Sequence, residues 1–269
     1  TGYSLAIEFG NAFHWLHQRW VSKQSTDLKT YRKMWVDLHP MAPPGARQEQ
    51  EQVYAMAEAM WPAYQHSHVK ETKWKWLQAE DRFDVTVGGK DGRPWHLKGF
   101  MDGAFEEVGE VWLHEMKTKS RIDPAEIADT LHLDLQVMTY LYVLRLLTGR
   151  DAKGVRYDVV RRPGTNPHKG ELLVEYKNRV RKEVEKKPKY YFYQFRCEVP
   201  AEKVTRYAEA VLFPILADVE EWASGKGRHY PNPGALVGRF GRSDMFNAIV
   251  SENPAGYRRR PVSSKWDER

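Results

Sequence analysis

Apolar residues recur along the chain with two different periods. Between Leu5 and Val21, the residues Leu5, Phe9, Ala12, Phe13, Leu16 and Trp20 fall three and four apart, which predicts an amphipathic helix. The prolines and glycine of residues 40–48 interrupt that pattern and predict a loop. Helical spacing returns from Glu49 to Tyr64, with an end expected near Pro62. Trp74, Trp76 and Leu77 lead into a β-region, where Phe83-Asp84-Val85-Thr86-Val87 alternates as a half-buried strand does. Gly88 to Gly92 reads as a turn. Trp95–Phe105 and Val111–Lys117 read as two more strands, joined by a hairpin loop over Glu106 to Glu110.

A long helix is expected next. Asp123 can cap it, Pro124 suits its first position, Glu126 sits three residues after the cap, and Gly149 can close it. A break is expected around His132. Val155–Val160 is a strand, Arg161-Arg162-Pro163-Gly164 starts a loop, and Glu171–Glu185 is a charged helix. Tyr191–Phe195 is a strand, Thr205–Trp222 a further helix, and the Pro- and Gly-rich tail from Tyr230 is expected to wrap the surface. There is no internal repeat and no low-complexity segment. Helices flanking a mixed central sheet make an α/β fold. It is expected as one domain over residues 1–269, with a catalytic core at 78–160, a helical part at 1–77 before it and residues 161–269 completing the fold.

Composition narrows the classes. The 269 residues are 41% hydrophobic and 29% charged, which is globular. No apolar stretch approaches the roughly 20 residues of a membrane span, and no basic segment followed by an apolar core marks a secretory signal. A cytoplasmic protein without membrane contact is therefore expected. Cys197 is the sole cysteine, so this chain can build neither an internal disulfide nor a cysteine cage for zinc or iron–sulfur. Lys plus Arg outnumber Asp plus Glu by 42 to 36, a net charge of +6, and aromatic residues reach 13%. That balance is compatible with nucleic acid, where cations meet phosphates and rings meet bases.

Candidate chemistry lies in Gly99-Phe100-Met101-Asp102 and, 13 residues after Asp102, Glu115-Met116-Lys117. Alternation in a strand points Glu115 and Lys117 to one face. A hairpin turning near Glu107 and Val108 would set Asp102 diagonally across from Glu115, although sequence leaves the parity of that register open. Two convergent carboxylates suit Mg²⁺ or Mn²⁺, which polarises a phosphodiester and activates water. A lysine beside them can offset charge on the phosphate. Taken one at a time, each is an ordinary strand residue, and Glu115 with Lys117 a solvated pair. Their surroundings argue otherwise: Gln136 and Tyr140 stand four apart on one helix face, and His14 lies inside an amphipathic helix.

Taken in order, Gly10 to His14, Glu80, Gly99-Phe100-Met101-Asp102, Glu115-Met116-Lys117-Thr118 and Gln136-Val137-Met138-Thr139-Tyr140 resemble the PD-(D/E)XK nuclease superfamily. Within it they are most similar to the RecB-like exonucleases of the phage-recombination and CRISPR-adaptation type. The resemblance implies a restriction-endonuclease-like core. It makes His14, Asp102, Glu115 and the backbone carbonyl of Met116 metal ligands, with Asp102, Glu115 and Lys117 catalytic. Gln136 and Tyr140 would line the DNA path. Glu80 corresponds to a glutamate that the family carries before the core strands and would join Gln136 and Tyr140 on the DNA path, although Glu71, Asp81 and Asp84 lie nearby and a solvated charge is an equal reading. His17 competes with His14, and Gly10 four residues before His14 favours the latter. His17, three residues on, points about 60° away around the helix.

One feature departs from the family. Many RecB-like nucleases hold an iron–sulfur cluster on C-terminal cysteines, and the matching region here, Tyr230-Pro231-Asn232-Pro233 and Gly238-Arg239-Phe240-Gly241, has none. Packing through Phe240, Met245 and Phe246 is expected in its place. Phosphate contacts are expected from Arg161, Arg162 and the basic stretches Lys177–Lys189 and Arg258-Arg259-Arg260; the glutamates within Lys177–Lys189 favour a solvated helix there. Lys73-Trp74-Lys75-Trp76 offers base stacking or simply core. The expected protein is a divalent-metal-dependent deoxyribonuclease, an exonuclease of recombination, repair or phage genome processing, working with DNA and with a recombination or replication protein. A structure-specific or single-strand endonuclease is the alternative, and a non-catalytic DNA-binding module the rival from another class. Oligomeric state stays open.

Overall fold

A computed structural model describes residues 5–41, 44–88 and 94–225 and the backbone of two short strands, 237–238 and 241–242. The chain divides into two compact units, Thr1–Ala217 and Asp218–Arg269. The first holds a mixed five-stranded sheet of order β1-β2-β3-β4-β5, formed by β1 (Lys75–Val87), β2 (Trp95–Glu107), β3 (Glu110–Lys119), β4 (Ala152–Arg161) and β5 (Phe192–Glu198). Only β3 and β4 run parallel. A parallel pair needs a crossover, here α4 (Pro124–Thr130) and α5 (Leu135–Thr148). The second unit contains the hairpin of β6 (Val237–Gly238) and β7 (Gly241–Arg242).

Helices cover both faces of the sheet. On one side, Phe9, Phe13 and Leu16 of α1 (Leu5–Val21) pack with Tyr54, Met60 and Tyr64 of α3 (Pro44–Ser67), Val180 and Val184 of α6 (Leu173–Lys186), and Met116 and Val160 from the strands. On the other, Val137, Met138 and Leu141 of α5 pack with Leu113, Val155 and Val159 of the strands and Val204 of α8 (Ala201–Tyr207). Covered on both faces, β3 is buried without interruption from Val111 to Met116 rather than at alternate positions, and that run includes His114 and Glu115.

Several boundaries depart from expectation. α2 (Lys29–Leu38) was not expected, although Tyr31, Met34, Trp35 and Leu38 fall three and four apart; it buries only Trp35. α3 starts at Pro44, which fits a first helical position, and runs through Pro62 to Ser67. An interior proline costs about 3 kcal/mol. The buried Met60, Trp61 and Tyr64 around it outweigh that, at about 1.5–3 kcal/mol for each large apolar side chain. The hairpin loop expected over Glu106–Glu110 shrinks to Val108 and Gly109, both left-handed at φ 52° and 79°. That suits a two-residue turn.

The expected break near His132 is present, a 3-10 turn over Leu131–Leu133. Asp123 caps α4 by accepting from the Glu126 amide at 3.2 Å, and Gly149 closes α5 at φ 67°. The last helix begins at Ala201 and continues through a π-turn into α9 (Phe213–Ala223). Trp74 stacks on Phe105 at 3.9 Å and is buried, so it belongs to the core. The turn at Gly88–Gly92 reaches past the described residues, and the tail with Phe240, Met245 and Phe246 lies outside them. No described helix is long and apolar enough to cross a membrane.

Candidate active site

The site forms where α1 lies against the middles of β1, β2 and β3. Gly10 makes the approach possible: a Cβ there would stand 3.0 Å from Thr118 Oγ1 on β3. One turn later His14 reaches the strands. Its Nδ1 bonds Glu80 and lies 3.6 Å from Asp102 Oδ1, and donor atoms of His14, Glu80 and Asp102 fall within 4.8 Å of one another.

Register brings the carboxylates together. Ala79 pairs with Gly103 and Asp81 with Met101, so Glu80 stands opposite Asp102. Gly103 pairs with His114, so the next opposed positions are Asp102 and Glu115. Asp102 is thus directly across from Glu115 rather than diagonal to it. The Met116 amide donates to Asp102 Oδ2 at 2.7 Å. A strand residue's N–H and C=O point to the same side, so the Met116 carbonyl also faces Asp102. Glu80 has φ 47°, a left-handed conformation that costs of order 1–3 kcal/mol for a non-glycine residue. Gln18, one turn beyond His14, holds that kink by donating to the carbonyls of Ala79 and Glu80, both at 3.3 Å. Sequence reasoning passed over Gln18, although its i+4 spacing from His14 was a usable signal.

Glu115 and Lys117 project from β3 toward α5 and form an ion pair. Lys117 Nζ donates to Gln136 Oε1 at 2.9 Å, and Gln136 Nε2 donates to the Tyr140 hydroxyl at 3.1 Å. Asp134, another residue not singled out from sequence, caps α5 by accepting from the amides of Gln136 and Val137 at 2.8 and 3.1 Å. It fixes where Gln136 and Tyr140 stand. Arg161 and Arg162 lie one strand over, with Arg161 paired to Lys119, and line a pocket of about 410 Å³ with Ser120, Thr165, Lys187 and Tyr190. The basic helix α6 carries Arg179 bonded to Glu171 and Lys177 to Glu58, as a solvated helix does.

The electrostatics would suit a cation. Glu115 is fully buried, and apart from the Lys117 ion pair neither oxygen has a hydrogen-bond partner among the described residues. Burial first, and then the charge of Asp102, push its carboxyl up to about 8 against the pull of Lys117. Burial opposes charge on His14, but Asp102, Glu80 and Glu115 outweigh it and raise the ring to about 9. Burial likewise opposes charge on Lys117, and Glu115 reverses this and holds it above its usual value. A divalent ion would supply what Glu115 lacks, and oxygen donors with one imidazole fit Mn²⁺ or Mg²⁺.

No curated protein matches the sequence. Solved structures do, among them that of SSO0001, at 11% identity over 77% of this chain and 82% of that one, with a TM-score of 0.31. A family model described as the PD-(D/E)XK nuclease superfamily matches residues 2–232, a span that contains every strand of the five-stranded sheet and every residue of the cluster. The chain belongs to the PD-(D/E)XK nuclease superfamily.

Proposed function

We propose that the protein is a divalent-metal-dependent deoxyribonuclease of the RecB-like type that degrades DNA from its ends. The observation that carries the nuclease reading is the convergence of His14, Glu80 and Asp102 within 4.8 Å, with the buried Glu115 and its partner Lys117 on the adjacent strand. The order of motifs from Gly10 to Tyr140 supports the RecB-like type, and with it DNA as substrate and an exonuclease.

In this reading His14, Glu80, Asp102, Glu115 and the Met116 carbonyl hold the ion. When bound, the ion supplies a Lewis acid for the phosphodiester and an acidified water. Lys117 stays cationic and sits at the solvent side of Glu115, where it offsets charge on the scissile phosphate and orients the attacking water. Gln136 keeps Lys117 extended toward that position, and Tyr140 holds the far end of the Gln136 amide. Arg161, Arg162 and Lys119 supply backbone contacts that carry no sequence preference.

The test is incubation of the full chain with linear and with covalently closed circular DNA, with Mg²⁺, with Mn²⁺ and with chelator. Progressive loss of the linear form alone, abolished by chelator, is the expected result. Prompt nicking of closed circles would replace the exonuclease with an endonuclease, and metal-independent cleavage or no cleavage would overturn the reading.

A further inference from the structure

Beneath the sheet, on the α1 and α3 side, lies a second group of metal-ligating side chains that the nuclease reading does not use. His68 follows α3, Glu71 stands in the 3-10 turn Val69–Lys73, and Asp158 projects from β4. Each offers a donor atom, the three lie within 4.8 Å of one another, and all three residues are buried. We propose that His68, Glu71 and Asp158 bind a divalent transition-metal ion of the zinc, iron or manganese class as a structural centre, separate from the candidate active site and independent of the nuclease reading.

The imidazole is set up as a ligand. His68 Nδ1 lies 2.9 Å from the Tyr64 backbone carbonyl, which can only accept, so Nδ1 carries the proton and Nε2 presents its lone pair. Metal-binding histidines characteristically donate their other ring nitrogen in this way. Nε2 faces Asp158 Oδ2 at 3.9 Å, too far for a hydrogen bond. A neutral ring and a carboxylate facing each other are two acceptors without a proton between them. Metal–ligand bonds of about 2.0–2.2 Å on each side span that gap.

The carboxylates are held in place as well. Gln194 Nε2 donates to Glu71 Oε1 at 3.1 Å and His17 Nε2 lies 3.0 Å from Glu71 Oε2. His114 Nε2 lies 3.0 Å from Asp158 Oδ2, and Arg156 Nε 3.4 Å from Oδ1. Arg156 sets one positive charge against two buried carboxylates. The Tyr64 hydroxyl is buried beside the same two carboxylates.

Stacking decides which histidine ligates. Donor atoms of His17, Glu71 and His114 also lie within 4.8 Å, but the His17 and His114 rings are stacked at 4.6 Å and 7°. Ring lone pairs lie in the ring plane, so two parallel planes give no shared coordination point. His17 and His114 therefore orient the carboxylates, and His68 ligates. The ion would tie the end of α3 to β4, which pairs with β3 at Met116, directly behind Glu115.

The test is elemental analysis of the full chain, produced in medium supplemented with zinc, iron and manganese and then desalted. The parent and Asp102→Ala proteins are both expected to retain a stoichiometric transition ion, and His68→Ala to lose it. X-ray absorption of the retained ion should show nitrogen and oxygen ligands with one imidazole. If His68→Ala does not fold, the parent and Asp102→Ala measurements and the absorption spectrum decide alone. A folded parent that holds no such ion, and takes up none after refolding with Zn²⁺, Fe²⁺ or Mn²⁺, would overturn the proposal. So would an ion lost with Asp102→Ala, or one kept in folded His68→Ala.

Discussion

Two clusters of the same residue types sit back to back in this protein, and β3 feeds both. His114 points to the α1 and α3 face, Glu115 to the α5 face. The cluster around Glu115 is open at its edge: His14 and Lys117 keep side-chain exposures of 24% and 32%, and Lys117 brings an ammonium to the carboxylates. The cluster around His114 is sealed, with His17, His68, Glu71, His114 and Asp158 all between 0% and 3% exposed. In it each carboxylate is locked by two side-chain partners, whereas Glu115 has Lys117 alone. Unmet demand with solvent access is what a reacting site needs, because substrate and water must replace protein contacts. Contacts closed to solvent hold elements together, as a structural ion there would.

The largest contrast is in activity. Glu115→Gln or Asp102→Asn should lower cleavage of linear DNA about a thousandfold or more, as loss of a principal charge-stabilising group does, while the metal-free urea midpoint of Glu115→Gln stays equal or rises. Retained cleavage in either purified variant would break the distinction between the clusters. In the sealed cluster the effect should move to stability. Asp158→Ala leaves Arg156 and His114 without their acceptor and should cost about 3–5 kcal/mol in urea unfolding, typical of a broken buried pair, with cleavage per folded molecule close to the parent.

The two histidines of α1 sharpen the comparison further. His14→Ala should weaken metal activation strongly, with partial recovery at high Mn²⁺. His17→Ala should lower the unfolding midpoint and leave the metal titration of activity unchanged, since His17 is buried against Glu71 and His114. The reverse pattern would exchange their roles.

Protons give a gentler test. Metal ligands must shed protons to bind, so with Glu115 at about 8 and His14 at about 9 the apparent Mn²⁺ affinity should rise from pH 7 to 9. Stability moves the other way. A carboxyl raised from 4.5 to about 8 binds more protons folded than unfolded between those values, so metal-free stability falls as pH rises through that window. Glu115→Gln should flatten that slope, and parallel urea midpoints from pH 5 to 8 for the two proteins would disprove the assignment. The smallest effect belongs to Tyr140→Phe, which removes one hydrogen bond from the Gln136 amide. It should cost about 1 kcal/mol or less, within about tenfold in rate.

Much of the scaffold was legible where local chemistry repeats. The α1 stripe from Leu5 to Val21, the Asp123 and Gly149 caps and the break at His132 all follow from spacing and from residue types with one conformational use. Among the site residues, alternation puts Glu115 and Lys117 on one face, and i,i+4 spacing puts Gln136 and Tyr140 together. Glu80 was harder, because nothing local distinguishes it from Glu71, Asp81 or Asp84. Its place comes from a left-handed kink in β1 that Gln18 holds from another element. α3 continues through Pro62 because tertiary burial outweighs a local penalty that the sequence displays openly.

The sequence by itself determined which side chains stand at which period, an acidic pair with a lysine on a hairpin and a histidine on an amphipathic helix, because side-chain type and period are local properties. Tertiary structure decided which charges meet. The Val108–Gly109 turn set Asp102 opposite Glu115, Gly10 let His14 descend onto them, and chain folding gathered His17, His68, Glu71, His114 and Asp158 from separate elements into one buried knot. Burial and long-range register depend on what covers a residue, and no window of sequence contains that information.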